Sequence, residues 1–307
     1  MTLRYSVRMA VALAISVWGT SSQATENGVP TTAYGVFDFS AGFLPPPTPH
    51  GTVAGRSAFY KATKQKDGDG NDTGNDVSVS VLSFSLVYLR MTEISLLGAN
   101  YGFGAVAPFF KMDGDLKVKA GGQTVLSTES DLFRQADIQI IPIMLQWNVA
   151  PNIGVNAQFQ IQAPTGDYDK NRFLNPGVNH WTFSPALNAT WISQSGLEVS
   201  SSFQVDVNTR NNDTDYKSGV EYRHEFAVGQ HVNDWTVGVG GYYYRQFSDD
   251  ESPNLLEGNR SRVMALGPAV SYFKPGSIPV WFHIYKEFDA ENRAEGYKAA
   301  IRFAYSF

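Results

Sequence analysis

The sequence predicts an all-β protein: a transmembrane, antiparallel, up-and-down β-barrel of about twelve strands, in a single domain with a short N-terminal extension. Three observations predict it. Apolar residues recur with period two along most of the chain and almost never at helical spacing. The connections between those stretches alternate long and short. The chain closes on an alternating aromatic strand that ends at Phe307.

Composition agrees with this class. Only 17% of the 307 residues are charged, against roughly 25% in an average soluble domain, and there are 28 glycines with 20 Phe, 15 Tyr and 6 Trp. The absence of cysteine excludes a disulfide scaffold, a Cys-ligated zinc site and a thiol nucleophile. A formal charge of -5 argues against nucleic acid as a partner, since phosphates need a basic face. No apolar run reaches the roughly 18 residues a spanning helix requires, which leaves membrane crossing to strands.

Residues 1–24 read as a cleavable secretory signal. Arg4 and Arg8 open it, Met9–Trp18 is its apolar stretch, and Ser22-Gln23-Ala24 sets small residues where a signal peptidase reads them. Export to the outer membrane of a Gram-negative cell is the expected destination. Residues 25–50 read as an extension, because Pro45-Pro46-Pro47-Thr48-Pro49 lacks the backbone donors of a central strand. Phe37, Phe39, Phe43 and Leu44 precede that run. Two readings stay open for it: a periplasmic segment or extra edge strand, and a small plug in the pore mouth.

Residues 51–307 form the expected barrel. Its strands are Gly51–Thr63, Val77–Met91, Ala99–Lys111, Ala136–Val149, Asn152–Ala163, Asn179–Ile192 and Leu197–Asn208. Ser218–Val228, Trp235–Phe247, Ser261–Phe273, Ile278–Phe288 and Ala294–Phe307 complete the set. In Leu197–Asn208, Leu197, Val199, Phe203, Val205 and Val207 share one face, and Glu198, Ser200, Ser202, Gln204, Asp206 and Asn208 the other. Alternation alone does not say which face is inside. The connections Lys64–Asp76, Met112–Gln135, Pro164–Val178, Thr209–Lys217 and Ser248–Arg260 are long, with Met112–Gln135 the longest. Those at Ala150-Pro151, Ser193–Gly196 and Lys274–Ser277 are tight. Such a rhythm suits a barrel with one end outside the cell and the other in the periplasm.

In the last strand Tyr297, Ala299, Ile301, Phe303, Tyr305 and Phe307 share the outward face. It resembles the closing strand of bacterial outer-membrane barrels, which implies recognition by the barrel-assembly machinery. Outer-membrane lipid and lipopolysaccharide are the other expected partners. The run Asp38-Phe39-Ser40-Ala41-Gly42-Phe43-Leu44-Pro45-Pro46-Pro47, with the Gly-Asp-rich first loop and Leu96-Leu97-Gly98, resembles the phenol meta-pathway degradation-type outer-membrane family. That resemblance implies an outer-membrane barrel linked to catabolism of aromatic or other hydrophobic compounds. It carries over no catalytic residue.

No enzyme and no cofactor is expected. The chain lacks G-x-x-x-x-G-K-[ST], H-E-x-x-H and G-x-S-x-G, and its histidines (His50, His180, His224, His231, His283) have no metal-ligand spacing. His224 falls on a lipid-assigned face with Tyr222 and Phe226. Asp67-Gly68-Asp69-Gly70-Asn71-Asp72 opens like a calcium loop, but Ser78 stands at its twelfth position, so a solvated acidic loop is the reading, with weak divalent-cation binding as the alternative.

The face assigned to the lumen supplies the candidate site. Gln158, Gln160, Gln204, Asp206, Glu221, Arg223 and Glu225 lie on it, followed by Trp281, His283, Tyr285, Glu287, Lys298 and Arg302. Two roles compete for these residues: structural filling of the interior, and a solute path whose selectivity they set. Antiparallel pairing in the last hairpin should set Tyr285 opposite Lys298 and Trp281 opposite Arg302, with Glu287 diagonal to Lys298. About twelve strands is wider than the roughly eight that side chains just fill. The function expected is therefore a channel for small hydrophobic or aromatic compounds by facilitated diffusion. The alternative is a structural or adhesive surface barrel with a closed interior.

Overall fold

The protein is described by a computed structural model covering residues 24–28, 30–120, 123–253, 255 and 259–307. The expected leader, apart from Ala24, lies outside these residues. Thirteen strands follow a short 3-10 turn at Glu26–Gly28: β1 (Thr52–Lys66), β2 (Asp76–Leu96), β3 (Ala99–Ala120), β4 (Gln123–Gln135), β5 (Gln139–Ala150), β6 (Ile153–Gln162) and β7 (Thr182–Ile192). The set continues with β8 (Leu197–Asn208), β9 (Glu221–Val232), β10 (Trp235–Gln246), β11 (Arg262–Tyr272), β12 (Val280–Glu291) and β13 (Arg293–Ser306). All pairings between them are antiparallel.

Twelve of these strands close into a barrel, each bonded to its neighbours from β5 round to β13, then β1, β2, β3 and back to β5. Closure leaves no unpaired edge in the ring, as lipid requires of a backbone that crosses it. β4 is the exception. It pairs only with β3, while β5 takes the other part of β3, at Asn100–Val106.

That pairing corrects the expected loop at Met112–Gln135, which is a β-hairpin continuing β3 into β4. Met112, Gly114 and Leu116 alternate there with Lys111, Asp113, Asp115 and Lys117. The alternation is as regular as in any other strand. Its charged outer row resembles a solvated loop because this part stands beyond lipid, where outward residues need not be apolar.

The distribution of polarity decides which face is which. Large apolar side chains on the outer wall are exposed, Leu86 at 62% and Val239 at 59%, with Phe84, Leu187, Phe203, Ile284, Ile301 and Phe303 among them. Buried residues are largely polar, including Asn156, Thr182, Ser184, Asn188, Ser200 and Glu221. Burial in a water-soluble fold runs the other way. This is a transmembrane β-barrel with its apolar belt toward lipid. Turns at one end are short, at 97–98, 151–152, 193–196 and 233–234, whereas the opposite end carries 67–75, 163–181, 209–220 and 247–261.

Candidate functional site

The interior of the barrel is occupied along its length by residues 24–28 and 30–44. Thr25 is held at the long-loop end, where its N–H donates to Asp250 Oδ2 at 2.6 Å. Thr31 and Thr32 hydroxyls donate to Glu221 and Asp206. The N–H groups of Gly35, Val36 and Phe37 converge on the Glu225 carboxylate at 2.8, 2.7 and 2.6 Å. Asp38 binds Arg302 and lies 2.9 Å from His283 Nδ1. Lower down, Ser40 N–H donates to Glu198 and Leu44 N–H to Gln146. The prolines then lead out at the short-turn end, where β1 begins.

An extended segment with no strand partner has a full set of backbone groups to satisfy. The barrel wall supplies that set from side chains. Arg223 Nη1 donates to the carbonyl of Ala33 at 2.6 Å, Lys298 Nζ to that of Tyr34 at 2.6 Å, and Arg56 Nη2 to that of Gly35 at 2.8 Å. Gly35 has a φ of +64°, a left-handed conformation that glycine adopts without strain. Gly42 passes so close to the wall that a Cβ there would collide with backbone atoms of Thr190 and Gly154. The run Asp38–Pro47 thus has a structural role at most positions. Asp38 clamps, Phe39 is fully buried against Gly229, Gly42 permits close approach and the prolines stiffen the exit.

All thirteen sequence-assigned lumen residues lie on the inner side of the wall, and most of them contact this segment or each other. Gln204 donates to Asp206 Oδ1 at 2.8 Å, and Asp206 pairs with Arg223 at 2.9 Å. Gln158 donates to Asn156, and Gln160 is partly buried beside it. Tyr285 stacks on His283 at 4.1 Å. The observed register of β12 and β13 sets Tyr285 opposite Lys298 and Trp281 opposite Arg302, as antiparallel pairing from the turn requires. Arg302 lies 4.3 Å from the Trp281 ring centroid. Glu287 is diagonal to Lys298 in this register, as expected, but no ion pair within 4.0 Å joins the two. Glu287 accepts from Tyr60 and Tyr242 and lies 3.5 Å from Arg293, while Lys298 turns toward Tyr34.

One side of the barrel is left unfilled. A cavity of about 210 Å³ lies between Gly28 and residues 30–34 on one side and the inner face of β1, β2 and β3 on the other. Val79, Val81, Val106, Phe110 and Met112 make its apolar wall, Phe173 and Leu174 of the connection 163–181 close over it, and Tyr34, Arg56, Tyr60, Arg293 and Lys298 stand on the other side. Lys298 is the one sequence-assigned lumen residue in this lining. Sequence reasoning missed the rest, although a signal existed. In Val77-Ser78-Val79-Ser80-Val81-Leu82-Ser83-Phe84-Ser85-Leu86 the apolar phase inverts at Val81-Leu82. Below that point Leu and Phe face out and Ser faces in; above it Val faces in.

The connection over the cavity is anchored by Asp137, which accepts from Gly166 N–H at 2.7 Å and Val178 N–H at 2.8 Å. Burial pushes its carboxyl above the usual carboxylate range despite those bonds. In the first loop Asp67 accepts from the N–H groups of Asp69 and Asn71, so its carboxylate folds the loop on itself. His224 stacks on Phe203 at 4.4 Å on the outer face, with Ser201 Oγ 3.3 Å from its Nε2.

Comparison with known proteins follows from this architecture. The sequence profile of the family described as "Putative MetA-pathway of phenol degradation" matches residues 62–303. A crystal structure of an outer-membrane channel from Pseudomonas putida F1 superimposes with a TM-score of 0.73 at 14% identity, over 89% of this chain and 100% of that one. The transport unit of the autotransporter AIDA-I from Escherichia coli gives a TM-score of 0.53 at 9% identity, over 86% of this chain and 94% of that one. At these identities the likeness is one of fold. No curated protein matches the chain.

Proposed function

Because the chain belongs to the family described as "Putative MetA-pathway of phenol degradation", we propose that it is an outer-membrane channel passing small hydrophobic or aromatic compounds by facilitated diffusion. The observation that carries this reading is the apolar cavity beside the lumen segment. Water-filled barrels line their lumens with polar groups. Here a cavity in the lumen has a wall of Val, Phe and Met, and its volume of about 210 Å³ suits a single-ring compound. The channel from Pseudomonas putida F1 supports the same reading by its fold. The tight end faces the periplasm and the long connections face outward, and residues 1–24 are removed on export.

A second reading is favoured by the packing of residues 31–44, whose backbone is bonded to the wall at most positions. A barrel closed in this way would be structural or adhesive. Reconstitution separates the two. Proteoliposomes containing the protein should admit phenol and toluene faster than protein-free vesicles, and faster relative to glucose than an open porin does. No solute flux and no single-channel current would leave the closed barrel.

A further inference from the structure

The geometry points to an anion subsite within the channel, built from Lys298 and Arg56, that selects singly charged aromatic acids over neutral rings. This inference rests on the channel reading and adds the chemical class of the solute.

The strand registers lay out the wall in rows. Lys298 of β13 pairs with Tyr60 of β1, Tyr60 with Val81 of β2, and Val81 with Met112 of β3. Four neighbouring strands at about 4.8 Å spacing make a row about 14 Å long. It runs from an ammonium, across a phenol ring, to two apolar side chains. Two residues further along β1, Ala58 pairs with Ser83, and Ser83 with Phe110. Arg56 continues the cationic edge beyond that. The wall is therefore graded from positive to apolar, and a substituted benzene ring lying along it would span the first part of the row, from Lys298 across Tyr60 to Val81.

The charges at the positive edge are unbalanced at contact distance. Arg293 has Glu287 at 3.5 Å, Arg302 has Asp38 and Arg223 has Asp206. Among the described residues no carboxylate lies within 4.0 Å of Lys298 or Arg56. Lys298 donates to a carbonyl, that of Tyr34, and its Nζ sits 4.0 Å from the Tyr34 ring centroid. An ammonium has three hydrogens to donate. Arg56 donates to the Gly35 carbonyl, and its Nε is buried without a partner. Glu225 and Glu287 act on Lys298, and Glu225 and Asp38 on Arg56, from beyond contact, so the cost of burying these cations is only partly offset and an arriving anion would relieve the remainder. The carboxylate of an aromatic acid would bond Lys298 and the open donors of Arg56. Its ring would lie against Tyr60 and Val81, where a larger polar solute has nothing to bond.

Flux into proteoliposomes tests the subsite with three probes: benzoate, benzyl alcohol as its neutral counterpart, and acetate as an anion without a ring. Benzoate should enter faster than both. Lys298→Met should lower the ratio of benzoate to benzyl alcohol flux about tenfold, the weight of one charge-assisted hydrogen bond, a ratio that loosening of the lumen segment would not by itself change. Lys298→Arg should keep the preference. If Lys298→Met fails to assemble, Arg56→Gln makes the same comparison. Benzyl alcohol flux with no benzoate preference, unchanged in the variants, overturns the anion subsite alone. No flux of either ring compound overturns the channel reading and the subsite together.

Discussion

Arg302 lies over the Trp281 ring at 4.3 Å, yet its charge is paired with Asp38, 264 residues earlier in the chain. The cation–π pair and the ion pair share one guanidinium. What is recognised at that point of the wall is the protein's own N-terminal segment. Glu225, Asp206, Glu221 and Glu198 act in the same way along its length.

Removing the clamp should therefore loosen the segment. Asp38→Ala removes the buried acceptor that Arg302 and His283 share; because Arg302 is 22% exposed and keeps its bond to the Phe39 carbonyl, the loss falls below the roughly 3–5 kcal/mol of a fully buried pair. We expect a larger and noisier single-channel current than in the unmodified protein, and a lower unfolding temperature by heat-modified gel mobility. An unchanged current would mean that residues 31–44 do not limit the pore.

The outer belt predicts a sharp asymmetry between faces. Val239 is among the most exposed apolar residues on the outer wall, whereas Ser83 faces the cavity. Val239→Arg should cost roughly 2–4 kcal/mol, as for a basic group facing mid-membrane hydrocarbon. Ser83→Arg should be tolerated better, since water and polar partners are within reach. Equal losses of folded barrel in the two variants would show the faces to be misassigned.

Processing after Ala24 would make Thr25 the first residue. Its nitrogen already sits 2.6 Å from Asp250 Oδ2, so the amide–carboxylate bond would become an ion pair at a buried site. N-terminal sequencing of protein from outer membranes should begin at Thr25. Asp250→Asn should increase hydrogen exchange at Thr31–Gly35 by several-fold, because the segment loses its upper anchor. A different first residue would remove the ion pair, and unaltered exchange would remove the anchor.

Asp137 gives a pH dependence of definite sign. Its folded-state carboxyl is raised by burial, so the folded protein holds this proton to higher pH than the unfolded chain does. The stabilising contribution is present in full below the ordinary carboxylate range and falls as pH rises through the raised value. Acidification from about pH 7 to about pH 4.5 should then tighten, and not release, the connection over the cavity. Hydrogen exchange at Gly166 and Val178, corrected for intrinsic rates, should slow accordingly, and Asp137→Asn should abolish the change. Faster corrected exchange on acidification would reverse the sign and count against the argument.

The class of fold, most strand positions, the rhythm of connections and the register of the last hairpin can be read from the residues in order. Each is local: side-chain direction alternates with period two, and a tight turn sets which residues face each other. Polarity on the face carrying Gln204, Asp206, Glu221 and Glu225 was legible for the same reason. The hairpin at 112–135 was not, because its charged outer row obeys the pattern while looking like a loop. What the polar face bonds emerges only when the barrel closes around the N-terminal segment. Closing twelve strands brings Asp38 to Arg302 and Gly35 to Glu225, contacts between positions that no periodicity links. It also leaves the cavity against β1, β2 and β3, because residues 30–34 pack toward the polar side of the barrel, where donors and acceptors exist for an unpaired backbone, and away from a wall of valine, phenylalanine and methionine that offers none.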